Sequence, residues 1–154
     1  MVWINILEKE KMILGWRETI TLPELGISKI NAKVDTGART SCLHAFKVEK
    51  FEKQNLSWAR FWIHPVQRNT EEEIICEAPI IDERIVRDSG GHEESRYVIK
   101  TLCSLGGQTW PIEITLSNRE NMSFRMLLGR TAMNKRVVVD PSESYLIPFK
   151  ENAQ

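Results

Sequence analysis

Apolar and polar residues alternate along most of this chain, which is the period of a half-buried strand. Trp110, Ile112, Ile114 and Leu116 fall in one phase, with Thr109, Glu113 and Thr115 in the other. Just before them, Tyr97, Ile99, Cys103 and Leu105 form a near-matching stripe, and Leu105-Gly106-Gly107-Gln108 between the two reads as a tight hairpin turn. Ile80-Ile81 and Ile85-Val86 lead into a second turn signal, Ser89-Gly90-Gly91-His92. Residues 79–117 are therefore predicted to form a three-strand meander. Upstream, Trp16, Ile20 and Leu22 alternate with Arg17, Thr19 and Thr21, and Ile30, Ala32 and Val34 alternate with Asn31 and Lys33. Leu43–Phe51 and Trp58–Pro65 add two short runs, and Pro23, Pro65, Pro79 and Pro111 are expected to break or edge the strands. Helix signal is confined to Gly129–Asn134, just after Leu128 and ahead of a Val137–Val139 strand. Short strands, frequent turns and little helix predict an all-β barrel or sandwich.

Composition narrows the class without changing it. A chain of 154 residues and 17.8 kDa suits one domain. At that size roughly 70 % of the unfolded surface is buried, so a core forms without disulfide staples. We expect a frayed segment over 1–11, one domain over 12–147 and a tail over 148–154. Lys plus Arg and Asp plus Glu are both 21. That balance argues against a nucleic-acid partner bound by bulk charge. The three cysteines, Cys42, Cys76 and Cys103, are an odd number and suit a reducing compartment. The apolar start is cut by Glu8-Lys9-Glu10-Lys11, and no apolar run approaches 18 residues, so no leader or membrane anchor is expected. These readings together point to a cytoplasmic protein.

One motif carries chemistry. The Ile30–Val34 strand runs into Asp35-Thr36-Gly37-Ala38, followed by Arg39-Thr40-Ser41. A carboxylate stands where a buried strand breaks into a turn, beside a hydroxyl and a glycine whose backbone can approach and donate to it. Much later comes Met126-Leu127-Leu128-Gly129-Arg130, two bulky apolar residues before a glycine at a strand-to-helix junction. Asp-Thr-Gly alone is a common turn sequence. Its coupling to hydrophobic-hydrophobic-Gly-Arg, on a β background with a glycine hairpin between, is far more specific.

That combination resembles the retropepsin-like aspartic proteases, the single-lobe relatives of pepsin. More narrowly it is similar to a bacterial and archaeal family labelled "putative ATP-dependent zinc protease", on the stretches Ala32–Ser41, Leu43-His44-Ala45, Ser89-Gly90 through Val98-Ile99, Met126–Arg130, Val139-Asp140-Pro141 and Ser144-Tyr145-Leu146. The resemblance implies a closed single-lobe β-barrel with one short helix after Leu128-Gly129. It also implies an aspartic-type endopeptidase with Asp35, Thr36 and Gly37 at its catalytic centre. One lobe supplies one aspartate, so the expected enzyme is a homodimer that sets Asp35 against its symmetry mate. Ala38, Arg39, Gly90, Gly91 and Arg130 are the expected substrate-binding residues, with Leu127, Leu128 and Gly129 structural. The Ser89–His92 turn is the candidate tip of a closing hairpin, with Gly106-Gly107 its rival.

This chain departs from the retroviral pattern at one position. There an acidic residue follows Asp-Thr-Gly-Ala and pairs with the arginine of Gly-Arg; here it is Arg39, which would repel Arg130. Either Arg130 has another partner or the subunit interface differs. A guanidinium there suits acidic, glutamate-rich peptides, and the family's association with ATP-grasp glutamate ligases points the same way. Zinc is expected to play no part: His-Glu-x-x-His and paired Cys-x-x-Cys are missing, and Cys42-x-His44 is one isolated pair. Asp140 is the one alternative same-chain partner for Asp35, although a turn after a strand is its plainer reading. Two other functions stay open: a peptide-binding or accessory module with no hydrolysis, working with an ATP-grasp ligase, and a metallopeptidase.

Overall fold

The computed structural model describes residues 11–87, 90–118 and 123–149. The alternating stretches fold as eleven strands: β1 Met12–Leu14, β2 Arg17–Leu22, β3 Ile27–Val34, β4 Ser41–His44, β5 Lys47–Lys53, β6 Leu56–Ile63, β7 Ile74–Arg87, β8 Glu93–Leu105, β9 Gln108–Ser117, β10 Met126–Leu128 and β11 Val137–Val139. A four-residue helix, α1, spans Arg130–Met133. The strand order β2-β3-β10-β4-β9-β8 closes on itself where Thr21 lies opposite Ser104, making an all-β barrel. Strands β7, β6 and β5 continue from β8 as an antiparallel extension, and β1 pairs in parallel with β11. The fold is thus the closed barrel of the retropepsin type with its short helix after Leu128-Gly129.

The period of two explains the core. Ile20 and Leu22, Ile30 and Ala32, Ile112 and Ile114, and Met126 and Leu128 all point inward and are almost fully buried. Glu18 breaks this apolar phase. It is fully buried on the inward face of β2, and its carboxylate accepts from the Gly15 amide (2.7 Å), the Leu146 amide (2.9 Å) and the Ile147 amide (3.1 Å). A buried charge is tolerated when donors saturate it. The same segment is stitched down by Trp16 N to the Glu143 carbonyl, Tyr145 N to the Arg17 carbonyl and Asp140 N to the Leu14 carbonyl. Residues 140–147 therefore form a strap across β1 and β2.

Several elements differ from the expectation. The meander begins at Ile74 rather than at 79, because β6 pairs with β7 from Ile63↔Ile74 onward. The Leu43–Phe51 run is two strands, since β4 ends at His44 inside the barrel and β5 begins at Lys47 on the outer edge of the extension. Pro79 and Pro111 lie within β7 and β9 rather than ending them. At Pro111 the cost is avoided: its cross-strand partner Leu102 turns its amide away to Glu24 Oε1 (3.0 Å), so no rung is lost. Gly129 and Asn134 cap the helix rather than belonging to it.

Two hairpin turns were rival lids, and packing separates them. Gly106 (φ 60°) and Gly107 (φ 77°) make the expected tight turn. A Cβ on Gly106 would lie 3.0 Å from the Met12 side chain and 3.5 Å from Ile147, so this turn is seated on β1 and the strap. In the β7–β8 hairpin the backbone pairing narrows to two strands, while Arg84 and Arg96 still reach Glu113 and Cys42 of the barrel. Beyond the Ile80↔Ile99 pair, β6 has left β7, and β9 joins β8 only from Val98. Glu83–Arg87 and Glu93–Tyr97 are thus a two-stranded arm. Ser95 donates to Glu83 (2.7 Å) along it, and Arg87 pairs with Glu93 near its tip. Gly90 and Gly91 (φ 84°) lie at that tip; Ser89 lies outside the described residues.

Candidate active site

Asp35 sits where β3 leaves the barrel. Its amide donates to the Leu128 carbonyl (2.9 Å) at the end of the parallel neighbour β10, and Val34 N donates to the Trp16 carbonyl (2.8 Å). These bonds fix the point at which the chain turns. The Gly37 amide donates to Asp35 Oδ1 (2.9 Å), and Ala38 N reaches the Asp35 carbonyl (3.3 Å). A carboxylate that accepts from its own loop cannot swing freely, which holds the other oxygen ready for a ligand. Asp35 is half-buried and Thr36, Gly37 and Arg39 are exposed, so the carboxylate opens to the surface.

The later motif braces this loop from below. Gly129 N donates to the buried Ser41 Oγ (3.0 Å), Arg130 N to the Ala38 carbonyl (2.8 Å) and Thr131 N to the Arg39 carbonyl (2.9 Å). A Cβ on Gly129 would fall 2.6 Å from the Thr40 carbonyl carbon, so only glycine lets the two chain segments touch. Arg130 Nη1 donates to the Thr36 carbonyl (2.9 Å). That bond resolves the Arg39 departure: Arg130 takes a main-chain oxygen of the Asp-Thr-Gly loop as its partner and needs no acidic residue. Asp35, Thr36, Gly37, Ala38, Arg39, Gly129 and Arg130 are therefore one constellation, with Leu128 buried beneath it and Leu127 half-buried beside it. Gly90 and Gly91 belong to the separate β7–β8 arm.

The remaining candidates have structural partners. Asp140 accepts from the Ser142 amide (3.0 Å) and hydroxyl (2.7 Å), which hold its carboxyl below the usual carboxylate range and close a turn. Cys42 and His44 are buried on β4, and Arg96 Nη1 lies 3.6 Å from Cys42 Sγ. Among the described residues no three His, Cys, Asp or Glu side chains gather to hold a metal. Burial pushes the Cys76 and Cys103 thiols up to about 12. Trp110 is a core residue whose indole N–H donates to the Ala132 carbonyl (3.0 Å), tying β9 to α1. Among the described residues no helix is long and apolar enough to cross a membrane.

Two residues were given no role by the motif reading. Ser41, the acceptor that joins the two glycine-bearing segments, is an ordinary serine in a strand. Glu18 carried a signal, since it is the one charged residue between Trp16 and Ile20 in the apolar phase of β2.

Comparison with known proteins bears on the same residues. A relative from Shewanella pealeana named "Probable alpha-L-glutamate ligase" is 43 % identical over 140 residues, covering 91 % of this chain and 31 % of its own length. Proteins of the same name from Desulfotalea psychrophila and Parasynechococcus marenigrum are 45 % and 47 % identical over 86 % and 88 % of this chain, and 28 % and 29 % of theirs. The chain thus spans under a third of these relatives, which are named as ligases and not as zinc proteases. A solved structure of a Legionella pneumophila protein of unknown function superposes with a TM-score of 0.73 at 26 % identity, covering 87 % of this chain and 96 % of that one. Residues 13–150 match the RimB-like family, described as "Retropepsin-like aspartic endopeptidase RimB". With its Asp-Thr-Gly loop clamped by Gly129-Arg130 at the end of a closed barrel, this chain belongs to the RimB-like family of retropepsin-like proteins.

Proposed function

We propose that the chain is an aspartic-type endopeptidase that works as a homodimer, with Asp35 of each copy forming one dyad. The observation that carries this reading is the setting of Asp35: a surface-facing carboxylate that accepts from the Gly37 amide, on a residue whose own amide donates to the Leu128 carbonyl and on a loop that Arg130 braces. Two carboxylates side by side cannot both ionise, so they share one proton and titrate as a pair. The charged one takes a proton from a water, whose oxygen attacks the peptide carbonyl carbon, while the protonated one donates to the carbonyl oxygen. The amide nitrogen then takes the dyad's proton as the C–N bond breaks, a hydroxyl of the gem-diol gives its proton to the other carboxylate, and the dyad is again singly protonated. Thr36 braces the pair across the dimer, and the β7–β8 arm with Gly90 and Gly91 closes over the substrate to exclude water. Exposed Arg39, beside this loop, favours acidic, glutamate-rich peptides. This reading calls on no metal, and the odd cysteine count supports a cytoplasmic setting for it.

A second reading has its own support in the relatives: a domain with no hydrolysis of its own that presents peptide to an ATP-grasp glutamate ligase, as partner or in the same polypeptide. Solution mass together with acid-range hydrolysis of glutamate-rich and neutral peptides separates the two. We expect a dimer whose activity falls at least about a hundredfold in Asp35→Asn and whose preference for acidic peptides disappears in Arg39→Ala. A strict monomer, or Asp35→Asn with full activity, would refute the dyad. Activity lost on chelation would favour a metallopeptidase.

A further inference from the structure

Arg17, Lys29 and Asn31 occupy the polar phase of β2 and β3, so they face away from the barrel core. The connection between β6 and β7 folds against this outer wall and bounds a cleft of about 680 Å³. Arg17, Lys29 and Arg68 line it with a single carboxylate, Glu72. In a chain whose total charge is zero, this is a local excess of cations.

Arg60, Arg84, Arg87 and Arg96 each hold a carboxylate of this same chain. Among the described residues no ion pair joins Arg17, Lys29 or Arg68 to a carboxylate, as is also true of Arg39, Arg125, Arg130 and Arg136; what sets the three apart is that they line one cleft. Arg17 is also held in place: its guanidinium stacks on Trp16 (4.4 Å) and Tyr145 (4.9 Å), and its buried Nε has no hydrogen-bond partner. A guanidinium already held in place loses little freedom when it meets a carboxylate. The cleft is far larger than a lone anion requires, with room on the order of twenty water molecules. Pro65, Val66 and Ile74 supply apolar wall for methylene groups, and Ser28, Asn31 and Gln67 supply polar partners for a backbone. That mixture suits a peptide segment with acidic side chains better than a free ion.

We infer that this cleft is a second recognition site, taking the side-chain carboxylates of an acidic peptide segment. It deepens the endopeptidase reading and rests on it for the identity of the peptide. Asn31 precedes Asp35 on one strand by roughly 13 Å of extended chain, so the cleft holds peptide away from the reacting carboxylate.

The test is calorimetric titration of the full chain with hexaglutamate, hexaglutamine and inorganic phosphate at low salt, on an Asp35→Asn background to prevent turnover. Lys29→Gln and Arg68→Gln alter exposed side chains and spare the fold, and Arg17→Gln is measured beside them. We expect hexaglutamate binding that weakens about tenfold or more in the Lys29→Gln/Arg68→Gln pair, with hexaglutamine not binding. Unchanged affinity in that pair, equal binding of hexaglutamine, or phosphate binding as tightly as the peptide would each overturn the inference. The two readings fail separately. Binding through Lys29 and Arg68 without any hydrolysis refutes the endopeptidase and supports the cleft. Hydrolysis of acidic peptide with the same KM in the pair as in wild type refutes the cleft alone.

Discussion

Replacing Glu18 by alanine removes the acceptor for three main-chain amides at once, and the structure sets the size of the loss. The Gly15 amide is buried, so leaving it unpaired costs about 1–3 kcal/mol. The Leu146 and Ile147 amides are only part-buried and water can recover them, so each costs about 0.5–1.5 kcal/mol. Against this stands the relief of no longer burying a carboxylate. A net destabilisation of about 3–4 kcal/mol corresponds to a drop in melting temperature of about 10 °C for a chain of this length. Glu18→Gln keeps one acceptor oxygen but turns an NH2 toward a donor, so it should fall between wild type and alanine. Thermal and urea unfolding give the global number, and hydrogen exchange gives the local one: the amides of Leu146 and Ile147 should lose protection first as the strap lifts. An alanine variant melting within about 2 °C of wild type, or exchanging no faster at those amides, would refute the clasp.

Other consequences are more local. Gly129→Ala drives a methyl to 2.6 Å from the Thr40 carbonyl carbon, so it should destabilise by about 1–3 kcal/mol and should also impair hydrolysis, because the contact it breaks seats the Asp35 loop; urea denaturation beside a peptidase assay reads both. Cys76 and Cys103 should resist thiol reagents at neutral pH in the folded protein and react once it is unfolded. Their thiols are raised to about 12 in the fold, whereas unfolded thiols ionise near 9, so stability should fall as pH rises from about 9 toward 12, read as the urea midpoint at each pH. Asp140 acts with the opposite sign. The Ser142 hydrogen bonds lower its pKa, so its contribution is present above the ordinary carboxylate value and fades as acid protonates it; Asp140→Asn should flatten that part of the acid-unfolding profile.

How much was legible follows from where each feature keeps its information. The alternation in β2, β3, β8 and β9 is repeated over many residues, so strand identity and inward face are readable without neighbours. Gly106-Gly107 announced its turn because glycine adopts the two successive positive φ values at little cost, whereas the same double positive φ at Gln54-Asn55 carries no such signal. The Leu43–Phe51 run misled because β4 and β5 are continuous in pattern yet belong to different parts of the sheet, and nothing in local periodicity marks the corner at Ala45. Pro79 and Pro111 misled because a proline breaks a strand only where its N–H would have met a neighbour.

The sequence by itself determined the chemistry of the candidate site. A carboxylate, a hydroxyl and two glycines at a strand end follow from residue identity, as does the all-β class from period. Tertiary structure decided the partnerships. Arg130 meets the Thr36 carbonyl instead of an acid, Ser41 receives Gly129, Glu18 gathers the strap, and Arg17, Lys29 and Arg68 converge on one cleft. The physical reason is range. Strand period and turn strain act between residues a few positions apart, whereas these bonds join residues distant in sequence, and only the closure of the barrel brings them within hydrogen-bond distance.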